Sequence, residues 1–246
     1  MRCGMAEFLF DSLPLRPADF ALTLGSTVIV APHPDDESLG CGGLLALLRQ
    51  AGVPVQAVLV SDGTMSHPHS VKFPAAARQA LREAELREAL TLLGVSTDDL
   101  LLLGLPDSAV PTLNQPGFAE AVATLRAYLQ RVQPATVLVP WRRDPHPDHR
   151  ATSQLVAAAL TGLPIRRVEY VVWAWERAAS EDLPQPGEVT GWRLDISSVL
   201  PQKQAAIAAH RSQLAPGIID DDPSGFLLSE QMLAHFAQPI EVYFDE

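Results

Sequence analysis

Short apolar runs alternate with longer helical patterns along the first two-thirds of the chain. The runs are apolar throughout rather than at every second position, which is typical of strands buried on both faces of a sheet. We predict strands at residues 27–31, 55–61, 100–103 and 136–140. We predict helices at residues 39–51, 74–93, 117–132 and 147–160. The repeated order of strand, helix and strand indicates right-handed βαβ units, and so an α/β fold whose mostly parallel central sheet is flanked by helices.

The pattern loosens in the last third of the chain. An apolar run predicts a strand at 167–175, and prolines with Gly187 then predict a loop. A helix is expected near 200–210, and the final sequence IEVYF predicts one more strand. Between them, the sequence LAPGIIDDDPSG at 214–225 predicts a long loop.

Polar clusters follow four successive predicted strands. The clusters lie at residues 33–37, 62–67, 107–108 and 144–149. In an open α/β sheet the ligand crevice lies beyond the carboxyl ends of the strands. We therefore expect all four clusters to meet at one edge of the sheet.

The first and last clusters combine histidines with acids, which favours a metal site. Three acids in the turn HPDDE repel one another, so a positive partner is expected there. A catalytic zinc takes three protein ligands and keeps a fourth position for water. A compact site would use His33 and Asp36 from the first cluster and His149 from the last. Asp35 then remains beside the metal, where it is suited to accept a proton from water.

Composition narrows the class of protein and its partners. The chain has 246 residues, of which 47% are hydrophobic, enough to bury a sizeable core. We expect one Rossmann-like domain over residues 1–246, with residues 25–175 as the α/β core and residues 176–246 as a variable C-terminal part. A formal net charge of -11 with only 18 Lys and Arg residues argues against nucleic acid as a partner. The sequence is compatible with a homo-oligomer.

Location in the cell is predicted from what the sequence lacks. No segment approaches the ~18 consecutive apolar residues that a membrane span needs. The two cysteines, Cys3 and Cys41, are too few for a disulfide framework or a thiolate-rich metal site. Both features favour a cytoplasmic protein in a reducing compartment.

The two histidine-acid motifs resemble the signatures of a known family. APHPDDESLGCGG and PHPDH are similar to the two signatures of the LmbE-like (PIG-L) zinc-dependent de-N-acetylases. Members of that family remove acetyl groups from N-acetylglucosamine-type amino sugars. The resemblance implies one zinc ion bound by His33, Asp36 and His149, with Asp35 as the general base. The implied partner is a small amino-sugar substrate.

Further roles follow from the same resemblance. His146 would be a second catalytic group that stabilises the oxyanion or protonates the leaving amine, with Asp148 orienting it. The segment REAELREALTLLG marks Arg82, and LGLPDS marks Asp107, as substrate-binding residues. Some members have a tyrosine where this chain has Asp144, so the role of that tyrosine does not carry over. The sequence AHRSQ at 209–213, which contains His210, recurs in part of the family without an assigned role.

Several polar residues also have interpretations without function. Arg82 could pair with Glu85 on a wet helix face. His67 and His69 would be surface histidines, and the three aspartates at 220–222 would face solvent. Asp35 or Asp36 could serve only as a helix N-cap, and Cys41 is explained as a small buried residue.

Three other functions are weighed against a deacetylase. LGCGG partly matches a dinucleotide-binding fingerprint, but its third glycine would fall on Leu45 and the acidic turn would repel a pyrophosphate. A phosphoesterase commonly uses two metals, whereas the ligands found suffice for one. A sugar-binding module with a structural zinc would use four protein ligands and would not need Asp35.

Overall fold

A computed structural model describes residues 10–185 and 187–245 and contains one eight-stranded sheet. The strands are β1 (Leu15–Arg16), β2 (Thr27–Ala31), β3 (Val55–Ser61), β4 (Leu101–Leu105), β5 (Thr136–Pro140), β6 (Arg166–Tyr170), β7 (Thr190–Asp195) and β8 (Ile240–Asp245). Their order across the sheet is β1-β7-β8-β6-β5-β2-β3-β4. Among the described residues, β8 alone runs antiparallel to its neighbours β6 and β7. The predicted α/β fold with a mostly parallel sheet is confirmed.

Seven α-helices accompany the sheet in the part of the chain that is described. They are α1 (Asp36–Gln50), α2 (Ala75–Leu92), α3 (Phe118–Val132), α4 (Pro147–Leu160), α5 (Ala174–Arg177), α6 (Leu200–Ala209) and α7 (Glu230–Phe236). Short 3-10 turns occur at Ala18–Leu24, Ser180–Asp182, Ser197–Val199 and Arg211–Gln213. No helix over residues 10–185 and 187–245 combines the length and the apolar character that crossing a membrane requires.

The central strands bury both faces, which explains their continuous apolar sequences. In β2, Ile29 packs into one core cluster with residues of α1, α2 and α6. Its neighbours Val28 and Val30 point the other way, into a second cluster with residues of α3 and α4. All three side chains are fully buried. Helices therefore cover the sheet on both sides, as a parallel sheet requires.

The strand order reverses beside β2. From β2 the chain continues outward through β3 and β4, and β5 then pairs with the opposite edge of β2. Such a switch point opens a crevice between the loops that follow the two central strands. Here those loops are the ones after β2 and β5, which carry the two histidine-acid motifs.

Several elements differ from the prediction. Helix α1 begins at Asp36 rather than at residue 39, and the Asp36 carboxylate accepts the His33 amide at 2.9 Å, which links the turn after β2 to the start of the helix. The strand predicted at 167–175 ends at Tyr170, and the chain then turns into α5, with the Trp173 amide donating to Asp144. Strands β1 and β7 lie in segments with polar residues and have no predicted counterpart.

Helix α1 lies unusually close to its neighbours, and its glycines make this contact sterically feasible. A Cβ atom on Gly40 would lie 2.4 Å from the Tyr170 ring, and one on Gly43 would lie 2.6 Å from Ile196. A glycine inside a helix lowers helix stability by about 1 kcal/mol relative to alanine. The close packing of α1, which leaves no room for a Cβ atom, explains why glycine is present here. Cys41, on the same helix, is buried and free as expected, while Cys3 and Pro186 lie outside the described residues.

Candidate functional site

Asp36 brings the two histidine-acid motifs together at the switch point. Its Oδ2 atom lies 3.2 Å from Nδ1 of His33 and 3.2 Å from Nε2 of His149. Donor atoms that share a tetrahedral zinc at ~2.0–2.1 Å lie about 3.3 Å from one another. All three side chains are buried, and the His33, His146 and His149 rings also approach within 4.8 Å of one another through their nitrogens. The structure thus brings His33, Asp36 and His149 together, with His146 directly beside them.

The opposite nitrogen of each histidine faces a second carboxylate. His33 Nε2 lies 3.0 Å from Asp148 Oδ2, and His149 Nδ1 lies 3.4 Å from Asp144 Oδ1. Histidines that bind metals typically donate their other ring N–H to such an outer carboxylate, which fixes the tautomer and the ring orientation. Both histidines are thus presented in the manner of metal ligands.

The charges around His149 favour a cation in this position. Neither of its buried ring nitrogens completes a hydrogen bond within the described residues, although both face carboxylates. Burial alone would lower the pKa of His149, but the charges of Asp36 and Asp144 raise it to about 9. Burial would raise the pKa of Asp36, but His149 and His33 hold it well below its usual range. A divalent cation would be held by the Asp36 carboxylate and Nε2 of His149, and Nδ1 would carry the proton that faces Asp144, so the residues fit a metal.

Asp35 occupies a strained position beside this cluster. Its φ angle is 141°, in the region that favours glycine, and holding another residue there costs about 1–3 kcal/mol. Burial raises the pKa of its carboxyl to about 7, although the nearby Arg82 guanidinium acts in the opposite direction. A carboxyl with a pKa near neutrality is well matched to general-base catalysis.

His146 has a defined tautomer. It is the N-cap of α4, and its Nδ1 accepts the backbone amide of Asp148 at 3.2 Å. A neutral ring that accepts at Nδ1 carries its proton on Nε2. Burial, together with the charges of His149 and His33, lowers the pKa of His146 to about 4. The ring is therefore a neutral hydrogen-bond donor rather than an imidazolium.

The carboxylate of Asp148 does not orient His146, in contrast to the sequence-based interpretation. It accepts the amides of Ser108 at 2.7 Å and Val110 at 3.2 Å, and it contacts His33. Only the backbone of Asp148 contacts His146, because a side chain at the first turn of α4 points back toward the loop after β4. The Asp148 carboxylate thus contacts His33 rather than His146.

Asp144 is hydrogen-bonded within and around the second histidine-acid motif. Its carboxylate is fully buried and accepts the amides of His146 and Trp173, both at 3.0 Å, while it also faces His149. Asp144 therefore points away from the cavity and accepts hydrogen bonds at the starts of α4 and α5. Some family members have a tyrosine at this position.

Arg82 and Asp107 both reach the site. Arg82 is 4% exposed and donates to the carbonyls of Pro34 and Gly63, and its guanidinium lies 3.4 Å from the Asp35 carboxylate. The alternative of a wet helix face paired with Glu85 is wrong, because Glu85 is also buried and accepts two hydrogen bonds from Ser212. Asp107 accepts the Met65 amide at 2.8 Å and lies 3.4 Å from His33 Nε2.

A cavity of about 150 Å³ opens over these groups. Six predicted site residues line it, namely His33, Asp35, Asp36, Arg82, Asp107 and His146. Its rim is formed by Trp173, Arg177, Phe226 and Leu228, none of which was predicted from the sequence. The Arg177 guanidinium lies 3.9 Å from the centre of the Trp173 ring, and Phe226 meets the same ring edge-on at 5.6 Å. A larger cavity, about 450 Å³, lies between α7 and β8 and contains none of the predicted site residues.

Two loops whose residues were interpreted as surface features pack against each other beside the site. His67 is 1% exposed and packs against Gly225, where a Cβ atom would collide with its ring. Asp222 is 5% exposed and accepts the His69 amide, and Asp221 accepts the amides of Val71 and Lys72. The prediction of solvent-facing residues is wrong for His67 and Asp222, because the loop at 214–225 folds onto the loop after β3.

Comparisons with known proteins show the family of the chain. The PIG-L family model, described as GlcNAc-PI de-N-acetylase, matches residues 28–160. A protein of Bacillus cereus, named probable N-acetyl-alpha-D-glucosaminyl L-malate deacetylase 2, is 31% identical over 76% of this chain and 82% of its own length. A 1D-myo-inositol 2-acetamido-2-deoxy-alpha-D-glucopyranoside deacetylase of Actinosynnema mirum is 30% identical over 76% of this chain and 80% of its own.

A solved structure shares the architecture. The N,N'-diacetylchitobiose deacetylase of Pyrococcus horikoshii superposes with a TM-score of 0.62 at 26% identity, over 77% of this chain and 70% of that one. The family model covers more than half of the chain and includes both histidine-acid motifs. The chain therefore belongs to the PIG-L family and is an enzyme of the deacetylase kind.

Proposed function

We propose that the protein is a zinc-dependent de-N-acetylase that hydrolyses the acetamide of an N-acetylglucosamine-type sugar or its conjugate. The observation that carries the proposal is Asp36 Oδ2, placed 3.2 Å from a nitrogen of His33 and from a nitrogen of His149, with Asp35 lining the same cavity. The similarity to deacetylases of N-acetylglucosaminyl malate and of an inositol glycoside supports the substrate class.

His33, Asp36 and His149 would hold the metal. A divalent cation held there would supply a Lewis acid for the amide carbonyl and would lower the pKa of water. The protein's own groups then handle the protons. Asp35 takes one proton as water attacks the carbonyl carbon, and it returns that proton to nitrogen when the carbon–nitrogen bond breaks. Acetate and a free amino sugar result, with one water consumed.

His146 stabilises the developing negative charge in this scheme. Its Nδ1 is occupied by the Asp148 amide, so its Nε2–H is the group available to substrate. A preorganised donor that contacts the oxyanion is worth about 10²–10³ in kcat. His146 is thus assigned the role of oxyanion donor, with transfer of its proton to the amine as the alternative.

The cavity also suggests how the sugar is bound. Asp107 lines it as a charged acceptor, and the His33 side chain lowers the pKa of Asp107 against the effect of burial. We assign Asp107 to sugar hydroxyls. Arg82 is engaged with Pro34 and Gly63, so we assign it to holding the Asp35 turn as well as to a substrate oxygen. The rim of Trp173, Phe226 and Arg177 is then left for the group attached to the sugar.

The rival functions are less well supported by the geometry. His33, Asp107 and Asp148 form a second group of ligand atoms within 4.8 Å, but it shares the His33 ring with the first group. A neutral imidazole gives only one nitrogen to a metal, so the described residues provide for one metal and not for the two of a typical phosphoesterase. A structural zinc would be closed by four protein groups, whereas this one would face a cavity.

The test is a substrate panel with acetate and primary amine as readouts. We expect the zinc-loaded protein to hydrolyse N-acetylglucosaminyl conjugates far faster than N-acetyl alkylamines. A site built to hydrogen-bond a hydroxyl rejects the analogue without it by ~10⁴–10⁵. Asp107→Ala should lower kcat/KM for the sugars and leave the poor alkylamine rate unchanged, with the exposed Asp98→Ala as control. Equal efficiency on alkylamines and on every sugar would overturn the substrate assignment and leave an unspecific amidase.

A further inference from the structure

The backbone of Asp35 is held in its unusual conformation by Glu37. The Asp35 amide donates to Glu37 Oε2 at 3.1 Å, and this bond closes the turn between β2 and α1. At a φ of 141° the chain has no intrinsic preference for this turn, so neighbouring contacts must maintain it. The direction of the Asp35 carboxylate therefore depends on where the Glu37 carboxylate lies.

Glu37 is itself fixed from the far end of the chain. Its side chain is fully buried, and its second oxygen, Oε1, lies 2.6 Å from Ser38 Oγ and 2.9 Å from His210 Nε2. Ser38 is the next residue along and moves with the same helical turn. His210 comes from another element, 173 residues later, and is 1% exposed. A buried carboxylate needs such a partner, so removing His210 would free Glu37 to move.

The segment AHRSQ is anchored on both sides of His210. It follows α6, where the His210 amide donates to Ile207, and the Gln213 amide closes the next turn on the His210 carbonyl. Ser212 donates twice to Glu85 of α2, through its amide at 2.8 Å and its hydroxyl at 2.6 Å. The segment thus contacts one buried acid of α1 and one of α2. Only the contact with Glu37 leads to Asp35.

We propose that His210 is a positioning residue for the deacetylation, which acts through Glu37 to aim the Asp35 carboxylate at its proton. The proposal rests on the proposed function of Asp35 as general base. His210 does not line the cavity and touches no substrate in this scheme. Its contribution is the placement of a catalytic group, for which an error of 1 Å costs about 10²-fold.

The experiment compares three single variants under saturating zinc. His210→Leu removes the ring donor at similar volume, His210→Gln retains an N–H donor, and Ser212→Ala weakens only the contact with Glu85. We expect His210→Leu to lower kcat by ~10–10²-fold with little change in KM. His210→Gln should recover most of that loss, and Ser212→Ala should keep a kcat close to wild type. Metal content and thermal unfolding are measured for each variant.

A double variant separates positioning from general damage. In an Asp35→Asn background the base is gone, so His210→Leu should cause no further loss of kcat. A purely structural role would lower the rate by the same factor in both backgrounds, and that result would overturn the proposal. If His210→Leu fails to fold, His210→Asn carries the same comparison, because its shorter side chain does not place an amide where Nε2 lies, and His210→Gln remains the rescue variant. A fall in kcat matched by Ser212→Ala, or explained by lost metal, would also overturn it.

The two proposals fail in different ways. If Asp35→Asn retains full activity, the general base has been misassigned and the proposed function falls first. If Asp35→Asn is inactive while His210→Leu matches wild type, only the positioning role is refuted.

Discussion

The core at residues 25–175 and the C-terminal part at residues 176–245 contribute to the site in different ways. The core supplies every side chain assigned to metal binding or proton transfer, from His33 to His149. The C-terminal part supplies residues that surround those groups, including His210 behind the acidic turn and Phe226 at the rim. The groups assigned to the reaction thus come from loops after parallel strands, and some of the contacts that hold and cover them, those of His210 and Phe226, come from a region with a less regular pattern.

The largest effects are expected in the core, where Asp36 is assigned to metal binding and Asp35 to proton transfer. Asp36→Asn should lose most of the bound metal and with it the activity, because Asp36 lies between both histidines. Asp35→Asn should keep the metal and lower kcat by ~10²–10⁴-fold, the usual contribution of a general base. Elemental analysis and initial rates on the same preparations check both results.

The control for this pair is Asp98→Asn, an exposed acid in the loop before β4. It should leave metal content and rate unchanged. If Asp35→Asn lost the metal while Asp36→Asn kept it, the assignment of the two neighbouring acids would be reversed. If neither variant changed the rate, neither acid would act as metal ligand or general base.

The same division explains how much the sequence could predict. Strands β2, β3 and β5 have the predicted bounds, because residues such as Val28 and Ile29 are buried on both faces and leave an unbroken apolar run. The carboxyl ends of these strands converge by topology alone, so the polar clusters that follow them can be located without a structure. The histidine-acid motifs can therefore be placed at the site from the sequence around each strand end alone.

The remaining features depend on long-range contacts that no local pattern contains. Glu85 and Arg82 have the spacing of an exposed ion pair, yet α2 packs against α6 and both side chains are buried. In the sequence Gly225 is an ordinary loop glycine, but in the fold it packs directly against the His67 ring. Strand β7 has exposed and half-buried positions between its buried ones, since it lies near the edge of the sheet. Partners this distant in sequence require the folded chain.

A smaller effect is expected where the C-terminal part is tied to the core. Lys203 of α6 is 1% exposed and donates to the Leu39 carbonyl and to Glu241, both at 2.8 Å. Glu241 also accepts the amides of Gly43 and Leu44 in α1. Lys203→Met leaves a buried carboxylate without its cation, which costs about 3–5 kcal/mol of unfolding free energy. Equilibrium denaturation measures this loss.

The matched control is Lys72→Met, which removes an exposed ion pair with Asp220 and should leave the denaturation midpoint almost unchanged. Folded Lys203→Met protein should retain most of its activity per metal, because Lys203 contacts no group assigned to the chemistry. Wild-type stability of Lys203→Met would mean that the C-terminal part does not depend on this buried pair. A loss of activity far beyond the folded fraction would mean that the pair also shapes the site.

The smallest expected effect concerns the rim of the cavity, to which the C-terminal part contributes Arg177, Phe226 and Leu228. Phe226 is half-buried, lines the cavity and packs edge-on against Trp173. If the rim binds the group attached to the sugar, Phe226→Ala removes about 1 kcal/mol of apolar contact, or roughly fivefold in kcat/KM. That loss should appear with conjugates and not with N-acetylglucosamine itself, whereas Leu227→Ala, at a neighbouring residue that does not line the cavity, should change neither. A uniform loss on all substrates would instead place Phe226 among the groups that support the reaction, and the contrast between a reactive core and a covering C-terminal part would no longer hold at the rim.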